Sequence, residues 1–250
     1  MRTVEFIADD FGMDESTNLA IERCHRDGVL TGASLMLGQP GTTLAIEVAR
    51  RNPTLRVGWH FHACDSRPLT RNRWPWGCSP AVAGFAIALL PSARSLIRRE
   101  IRIQWEQFRD SGLVCEFING HHHLHIHPFI AREMHTIVPQ SFEGWIRGFN
   151  VRPFEPGKVG AAGWMRRPAQ RWLRGWRNFR CSDTLWGVDR LFSMDADEVI
   201  HAVAQLPDGL HEFLFHPRGG PNDEDVRALL ALRDHPGLAR KRQSTTHSPA

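Results

Sequence analysis

The 250-residue chain has no tyrosine and no apolar run long enough to cross a bilayer. Its longest apolar stretch, Ala81 to Leu90, is ten residues between Pro80 and Pro91, against the ~20 that a spanning helix needs. The five cysteines (Cys24, Cys64, Cys78, Cys115, Cys181) are odd in number, widely spaced and free of any CxxC pair. That pattern excludes a disulfide framework and a thiolate zinc site, and it fits a reducing compartment. A GxSxG serine elbow and a P-loop are both missing, so neither serine-based hydrolysis nor phosphate cradling has its usual signature. Gly219-Gly220 is too short to cradle a phosphate. The first residues, Met1 to Ala8, are too few and too polar for a secretory signal. A cytoplasmic protein is expected.

What charge there is also excludes. A net charge of +4 is too mild to imply nucleic acid by itself, and no nucleic-acid-binding module appears. The apolar fraction of 42% and charged fraction of 23% are those of a soluble globular chain, large enough to bury a core without disulfide staples. Length allows one large α/β domain or two small ones.

The chain is rich in histidine instead. Five of its fourteen histidines crowd into seven positions in His121-His122-His123-Leu124-His125-Ile126-His127. Histidine is the commonest metal ligand and titrates nearest neutral pH. The bland alternative is a polar loop that happens to be His-rich, and the company the tract keeps argues against it.

Short apolar or β-branched runs alternate with longer amphipathic ones. Strands are expected at Thr3–Ala8, Ala33–Leu37, Arg56–His60, Val114–Ile118 and His211–Phe215, with weaker ones at Trp145–Phe149 and Phe179–Thr184. Helices are expected at Ser16–Arg26 (capped by Ser16 or Thr17, with Gly28 past its end), Thr42–Arg51, Ser92–Asp110, Phe129–Val138, Asp195–Leu206 and Asp223–Arg233. Leu69–Pro91 has no clear period. Repeated β-then-α order implies a parallel sheet with right-handed crossovers. The expected fold is therefore α/β, a single (β/α) barrel of about seven parallel strands, distorted or incompletely closed, over residues 1–239. A disordered tail, 240–250, follows.

In such barrels the active site lies where the strands end, and that is where the suggestive residues fall. Asp9-Asp10 closes the first strand, and two carboxylates buried together need a cation or a proton between them. His60 and His62 close the third, on one face of an extended chain. The histidine tract begins just past the fourth. If it stays extended, His121, His123, His125 and His127 point one way, and one or two of the five reach a single ion. His216 ends the last firm strand. An aspartate with two histidines and open positions suits one divalent ion, zinc or a harder ion such as magnesium. Such an ion acidifies water and polarises a carbonyl. A free carboxylate acting as base and a histidine acting as acid complete the parts for amide or ester hydrolysis.

Ala8-Asp9-Asp10-Phe11-Gly12, Gly28-Val29-Leu30-Thr31 with Ala33-Ser34-Leu35-Met36, Val57-Gly58-Trp59-His60-Phe61, His121-His122-His123-Leu124-His125 and Phe215-His216-Pro217 resemble the YdjC-like carbohydrate deacetylases in order and spacing. The resemblance runs from Val4 to about Gly220. Its nearest branch is the hopanoid-biosynthesis deacetylase, through Leu96–Gly112. The resemblance implies a barrel, a divalent metal (Mg2+ or Zn2+) and removal of acetyl from an N-acetylated amino sugar, such as a lipid-linked N-acetylglucosamine unit. Carried over position by position, it implies Asp10, His60 and His121 as metal ligands, Asp9 as general base, His216 as general acid and Arg147 as a substrate-facing arginine. His62 and His123 are further candidate substrate contacts. The chain departs from the family at Trp59, where an aliphatic residue is usual, and at His62, where the usual residue is apolar or small.

Trp164 to Arg180 places Trp172, Trp176 and Phe179 on one helical face and Arg171, Arg174, Arg177 and Arg180 on the other. That is the pattern of an interfacial membrane helix or of an outer barrel helix with a buried aromatic face. The expected partner is therefore a small or lipid-linked amino sugar, with peripheral membrane contact through 164–180, no nucleic acid, and room for a homodimer. The rivals are the same reaction on a chitooligosaccharide or antibiotic-type glycan, and a non-catalytic His-rich metal-binding protein.

Overall fold

A computed structural model describes residues 1–154 and 179–235. Both the expected tail and nearly all of the Trp/Arg-rich segment (all but Phe179 and Arg180) lie outside the described residues. Among the described residues, nine strands form one wholly parallel sheet: β1 (Arg2–Phe11), β2 (Gly32–Leu35), β3 (Arg56–Phe61), β4 (Phe117–Gly120), β5 (Trp145–Ile146), β6 (Val151–Arg152), β7 (Arg180–Cys181), β8 (Thr184–Trp186) and β9 (Gly209–Phe215). Their order is β6-β8-β9-β1-β2-β3-β4-β5-β7. The expected seventh strand, Phe179–Thr184, is broken. β7 pairs with β5, and after Ser182 and Asp183 the chain resumes as β8 against β9. Those two residues join the two sides of a curled sheet, which makes the barrel distorted, and β6 is a short extra strand beside β8.

Among the described residues, seven helices cover the sheet: α1 (Glu15–Asp27), α2 (Thr42–Arg51), α3 (Pro80–Leu89), α4 (Pro91–Asp110), α5 (Pro128–Ile137), α6 (Ala196–Gln205) and α7 (Glu224–Ala231). The α1 cap is Asp14, whose side chain accepts from Thr17 N, and not Ser16 or Thr17; Asp14 lies before the first turn, where a side-chain acceptor reaches the free N–H groups. The aperiodic stretch before Pro91 contains α3, whose composition is apolar nearly all round. It has no hydrophobic stripe for a periodicity argument to find. Ser79 caps it and Pro80 starts it. β4 begins three residues later than Val114: Ser111 and Gly112 form a turn, and residues 113–116 have no regular structure before the strand starts at Phe117.

Period-2 alternation divides the interior. Phe6, Ala8, Val57, Trp59, Phe61, Ile118 and Phe213 face outward into the main core under the helices. Ile7, Phe117, Trp145 and Leu210 form a separate apolar cluster inside the barrel. One step further along each strand the interior turns polar: Asp9, Ser34, His60, Asn119, Arg147 and Glu212, all buried. Trp59 thus belongs to the packing layer, 5.3 Å from the Trp105 ring of α4 and 5.9 Å from that of Phe61. Its departure from the family pattern fills space under α4 and leaves the polar interior untouched.

Candidate metal centre and active site

Asp9 and Asp10 are neighbours on a strand, so alternation would send their side chains to opposite faces. The backbone prevents that. Asp10 has φ 65°, and the β1–β2 register shifts between Ala8 and Phe11. A bulge with a left-handed residue re-aims one side chain, and aspartate tolerates that region better than most residues. Gly12, φ +96°, completes the turn; a Cβ there would lie 2.7 Å from Met36 O.

Asp10, His60 and His121 each turn one ligand atom to a common point, and all three are buried. Asp10 Oδ1 is 2.8 Å from His121 Nδ1 and 3.4 Å from His60 Nε2. Asp10 Oδ1 and His60 Nε2 nevertheless have no hydrogen-bond partner of acceptable geometry. Buried lone pairs that converge without hydrogens between them suit a cation. His60 is oriented from behind, its Nδ1 2.6 Å from Asn119 Oδ1, the outer-shell contact that fixes a ligating imidazole's tautomer. Burial alone would raise the Asp10 carboxyl, but the adjacent His121 and His60 imidazoles outweigh it and hold the group well below the carboxylate range. Arg218 adds an ion pair to Asp10 Oδ2 at 3.3 Å.

Asp9 lies beside this centre. Its Oδ1 accepts from Ser34 Oγ (2.7 Å), Arg147 Nη2 (3.0 Å) and Asn119 Nδ2 (3.1 Å), while Oδ2 accepts only from Arg147 Nη1 at 2.6 Å. Burial pushes this carboxyl up, but the Arg147 charge and then His60 more than reverse that, so Asp9 stays ionised. Its spare acceptor capacity is on Oδ2.

His216 follows β9 and is held through its backbone, whose N–H donates to Asp225 Oδ2 at 2.6 Å. Its ring meets Phe192 edge-on at 5.4 Å. Burial lowers the His216 pKa, opposed by the Asp9 and Asp10 carboxylates.

Two of the candidate substrate contacts have other duties. Arg147 is 0% exposed; besides Asp9 it binds Glu212 Oε2 at 2.9 Å. It grips Asp9 from inside the barrel through both guanidinium Nη atoms. His62 is also 0% exposed, with Nδ1 2.9 Å from Ser66 Oγ and Nε2 3.0 Å from Leu37 O. Burial lowers its pKa to about 3; it ties β3 to the β2–α2 loop. His123 fits its candidate role better: it is partly exposed, with a buried Nδ1 that lacks a partner, and packs on Phe149.

The tract itself is not extended. His121–Ile126 forms a 3-10 turn in which His122 (φ 49°) and His123 (φ 56°) are left-handed, so the expected alternation of its histidines does not hold. His121 enters the centre, His125 Nε2 is 3.1 Å from Arg147 O, and His122 turns to the exposed Asp65, 3.3 Å away. Asp65, His121 and His122 also lie close enough together to share an ion.

Ser34, Asn119, Glu212, Arg218 and Asp225 were not singled out from the sequence. The first three share the inward parity of Asp9 and His60, and counting by twos along β2, β4 and β9 finds them. Arg218 and Asp225 carry no such signal.

Fold and site together define a parallel α/β barrel whose strand ends carry a carboxylate pair and histidines set for a metal. The chain belongs to the YdjC-like protein family, whose sequence model matches residues 4–244. It is similar to a carbohydrate deacetylase of Vibrio cholerae serotype O1 (strain ATCC 39541 / Classical Ogawa 395 / O395), 35% identical over 140 residues, 54% of each chain. It is also similar to carbohydrate deacetylases of Brevibacillus brevis, 35% identical over 49% of this chain and 50% of that one, and of Geobacillus stearothermophilus, 36% identical over 48% and 49%. The chain thus spans about half the length of the curated relatives it matches. A crystal structure from Enterococcus faecalis V583, of a candidate cellobiose-phosphate cleavage protein, shares the fold, with TM-score 0.67, 16% identity and coverage of 96% of this chain and 94% of that one.

Proposed function

We propose that this protein is a metal-dependent hydrolase that removes the acetyl group from an N-acetylated amino sugar, an N-acetylglucosamine unit on a lipid carrier as in hopanoid biosynthesis. The observation that carries the reading is the convergence of ligand atoms of Asp10, His60 and His121, with Asp10 Oδ1 and His60 Nε2 unpartnered, beside an ionised Asp9. A divalent cation there, Mg2+ or Zn2+, would supply Lewis acidity toward a carbonyl oxygen and acidify water.

The chain's own residues do the rest. Asp9 is ionised across the working range, and Arg147 holds its carboxylate in one orientation with Oδ2 open to accept the proton of the attacking water. Asn119 and Ser34 prevent the carboxylate from rotating. His216, facing both carboxylates, delivers a proton to the departing amine nitrogen. His123 and Arg218 are the polar side chains left for the sugar.

Acetate release from N-acetylated and lipid-linked sugars, with bound metal measured in parallel, tests the reading. Asp9→Asn is expected to retain bound metal and lose ~10²–10⁴-fold in rate, the usual worth of a positioned base, whereas His60→Ala and His121→Ala lose the metal itself. An Asp9→Asn enzyme with most of its activity removes the base, and a metal-loaded protein that releases no acetate from any of these sugars removes the reaction.

A further inference from the structure

We propose that α3 and its flanks dock this protein on an anionic membrane surface, at the end of the barrel where the site opens. Val82, Phe85 and Leu89, spaced three and four apart on one face of α3, are 52%, 71% and 73% exposed, and Leu90 beyond them is 52% exposed. The opposite face, Ala83 and Ile87, is fully buried in the core. α3 is thus anchored as an ordinary core helix while presenting its larger apolar side chains outward. The remaining exposed large apolar residues include Leu191 and Phe192, in the loop after β8, and Phe192 lies against His216.

Charge chooses the occupant. From Ser66 to Arg99, 34 residues, there is no aspartate or glutamate, but six arginines: Arg67, Arg71, Arg73, Arg94, Arg98 and Arg99. Arg67, Arg71, Arg73 and Arg99 are exposed and form no ion pair among the described residues. Arg94 instead caps α3, its Nε donating to Ile87 O at 3.0 Å, and Arg98 pairs with Glu133. A second copy seated on this face by a two-fold axis would bring the same arginines against one another. An anionic lipid surface accepts both features, apolar side chains in the acyl boundary and guanidinium groups at the phosphates.

Position gives the surface a use. α3 packs against the histidine turn: a Cβ at Gly84 would lie 3.9 Å from His127 Cδ2. The β3–α4 connection is also rigidly tied down. Glu100 of α4 accepts from Leu69 N and Thr70 N, and Gln104 binds the His62 backbone. Docking through α3 would face the site toward a sugar whose lipid anchor stays in the bilayer. That last step rests on the deacetylase reading; the docking itself does not.

Co-sedimentation of the whole protein with phosphatidylglycerol/phosphatidylcholine vesicles tests the proposal, against pure phosphatidylcholine as reference. The wild type is expected to partition onto anionic vesicles, less so as salt rises. F85D/L89D, and the milder F85S/L89S, should lose at least tenfold in partitioning while keeping wild-type acetate release from a soluble N-acetylated sugar. Wild-type protein that ignores anionic vesicles overturns the proposal, and a dimer that F85D/L89D turns into monomers assigns the face to a second copy. Variants that bind vesicles as well as wild type also overturn it, moving the contact to another segment such as 164–180. Vesicle binding without acetate release would leave the docking intact and remove the deacetylase reading, and the converse would do the reverse.

Discussion

At the scale of single residues, the site is a set of buried charges that hold one another. Arg147 carries the most: both ends of its guanidinium are engaged, by Asp9 and by Glu212, in full burial. Removing one member of such a network leaves the others charged and unpaired, which costs ~3–5 kcal/mol. Arg147→Met is therefore expected to lower the unfolding free energy by about that amount in a urea titration, a large part of the ~5–15 kcal/mol of an ordinary domain. A loss below ~1 kcal/mol would mean that the two carboxylates find other partners or protons. Carboxylates and histidines at strand ends drew attention to Asp9-Asp10, His60, the histidine tract and His216, and the family resemblance singled out His121 within the tract. That Arg147 is buried between Asp9 and Glu212 was not legible in the sequence, because an arginine's partners depend on what lies across the barrel.

At the scale of elements, alternation along the strands does the sorting. Gly58 of β3 points inward between His60 and the apolar cluster, and a Cβ there would lie 2.3 Å from two ring carbons of Phe117. Gly58→Ala is expected to cost ~1–3 kcal/mol by overpacking, and Phe117→Leu in the same chain should recover part of it. A double-mutant cycle of melting curves measures the coupling, and additive effects would show that the ring moves aside freely. The regular elements were legible because their periods are strong; helix Thr42–Arg51 was placed to the residue. Two elements defeat periodicity. α3 is apolar on almost every face, and the histidine tract looks extended until left-handed His122 and His123 turn it into a 3-10 segment.

At the scale of the molecule, charges determine behaviour toward acid. The carboxyl of Glu22 is lowered to about 2, first by its bonds from Arg51, which outweigh burial, then by Asn52. Its folded pKa lies below the unfolded one, so its stabilisation is complete above ~4.5 and disappears as pH falls toward 2. Because Arg51 is half exposed, screening limits this to about 1 kcal/mol. Asp225 has the opposite sign. Burial raises it to about 6, against the bonds from His216 N and Met194 N, so its contribution is lost as pH climbs from ~4 to 6. Glu22→Gln should thus destabilise the protein by about 1 kcal/mol at pH 7 and not at pH 2, read from urea midpoints across pH. An equal loss at both ends would show that packing, and not charge, joins α1 to α2 there.

Alternating strand and helix patterns, the absence of cysteine pairs and serine motifs, and charged or ligating residues at strand ends were enough for a parallel barrel with a metal-type site. These are local properties, written in spacing and residue type. Tertiary structure alone decided the rest: that the histidine tract turns at His122 and His123, that Arg147 and His62 are interior, that Trp59 packs outward, and that Ser182 and Asp183 join the sheet's edges. Each depends on what another strand or helix places opposite, separated by tens to hundreds of residues along the chain, and no local pattern records that distance.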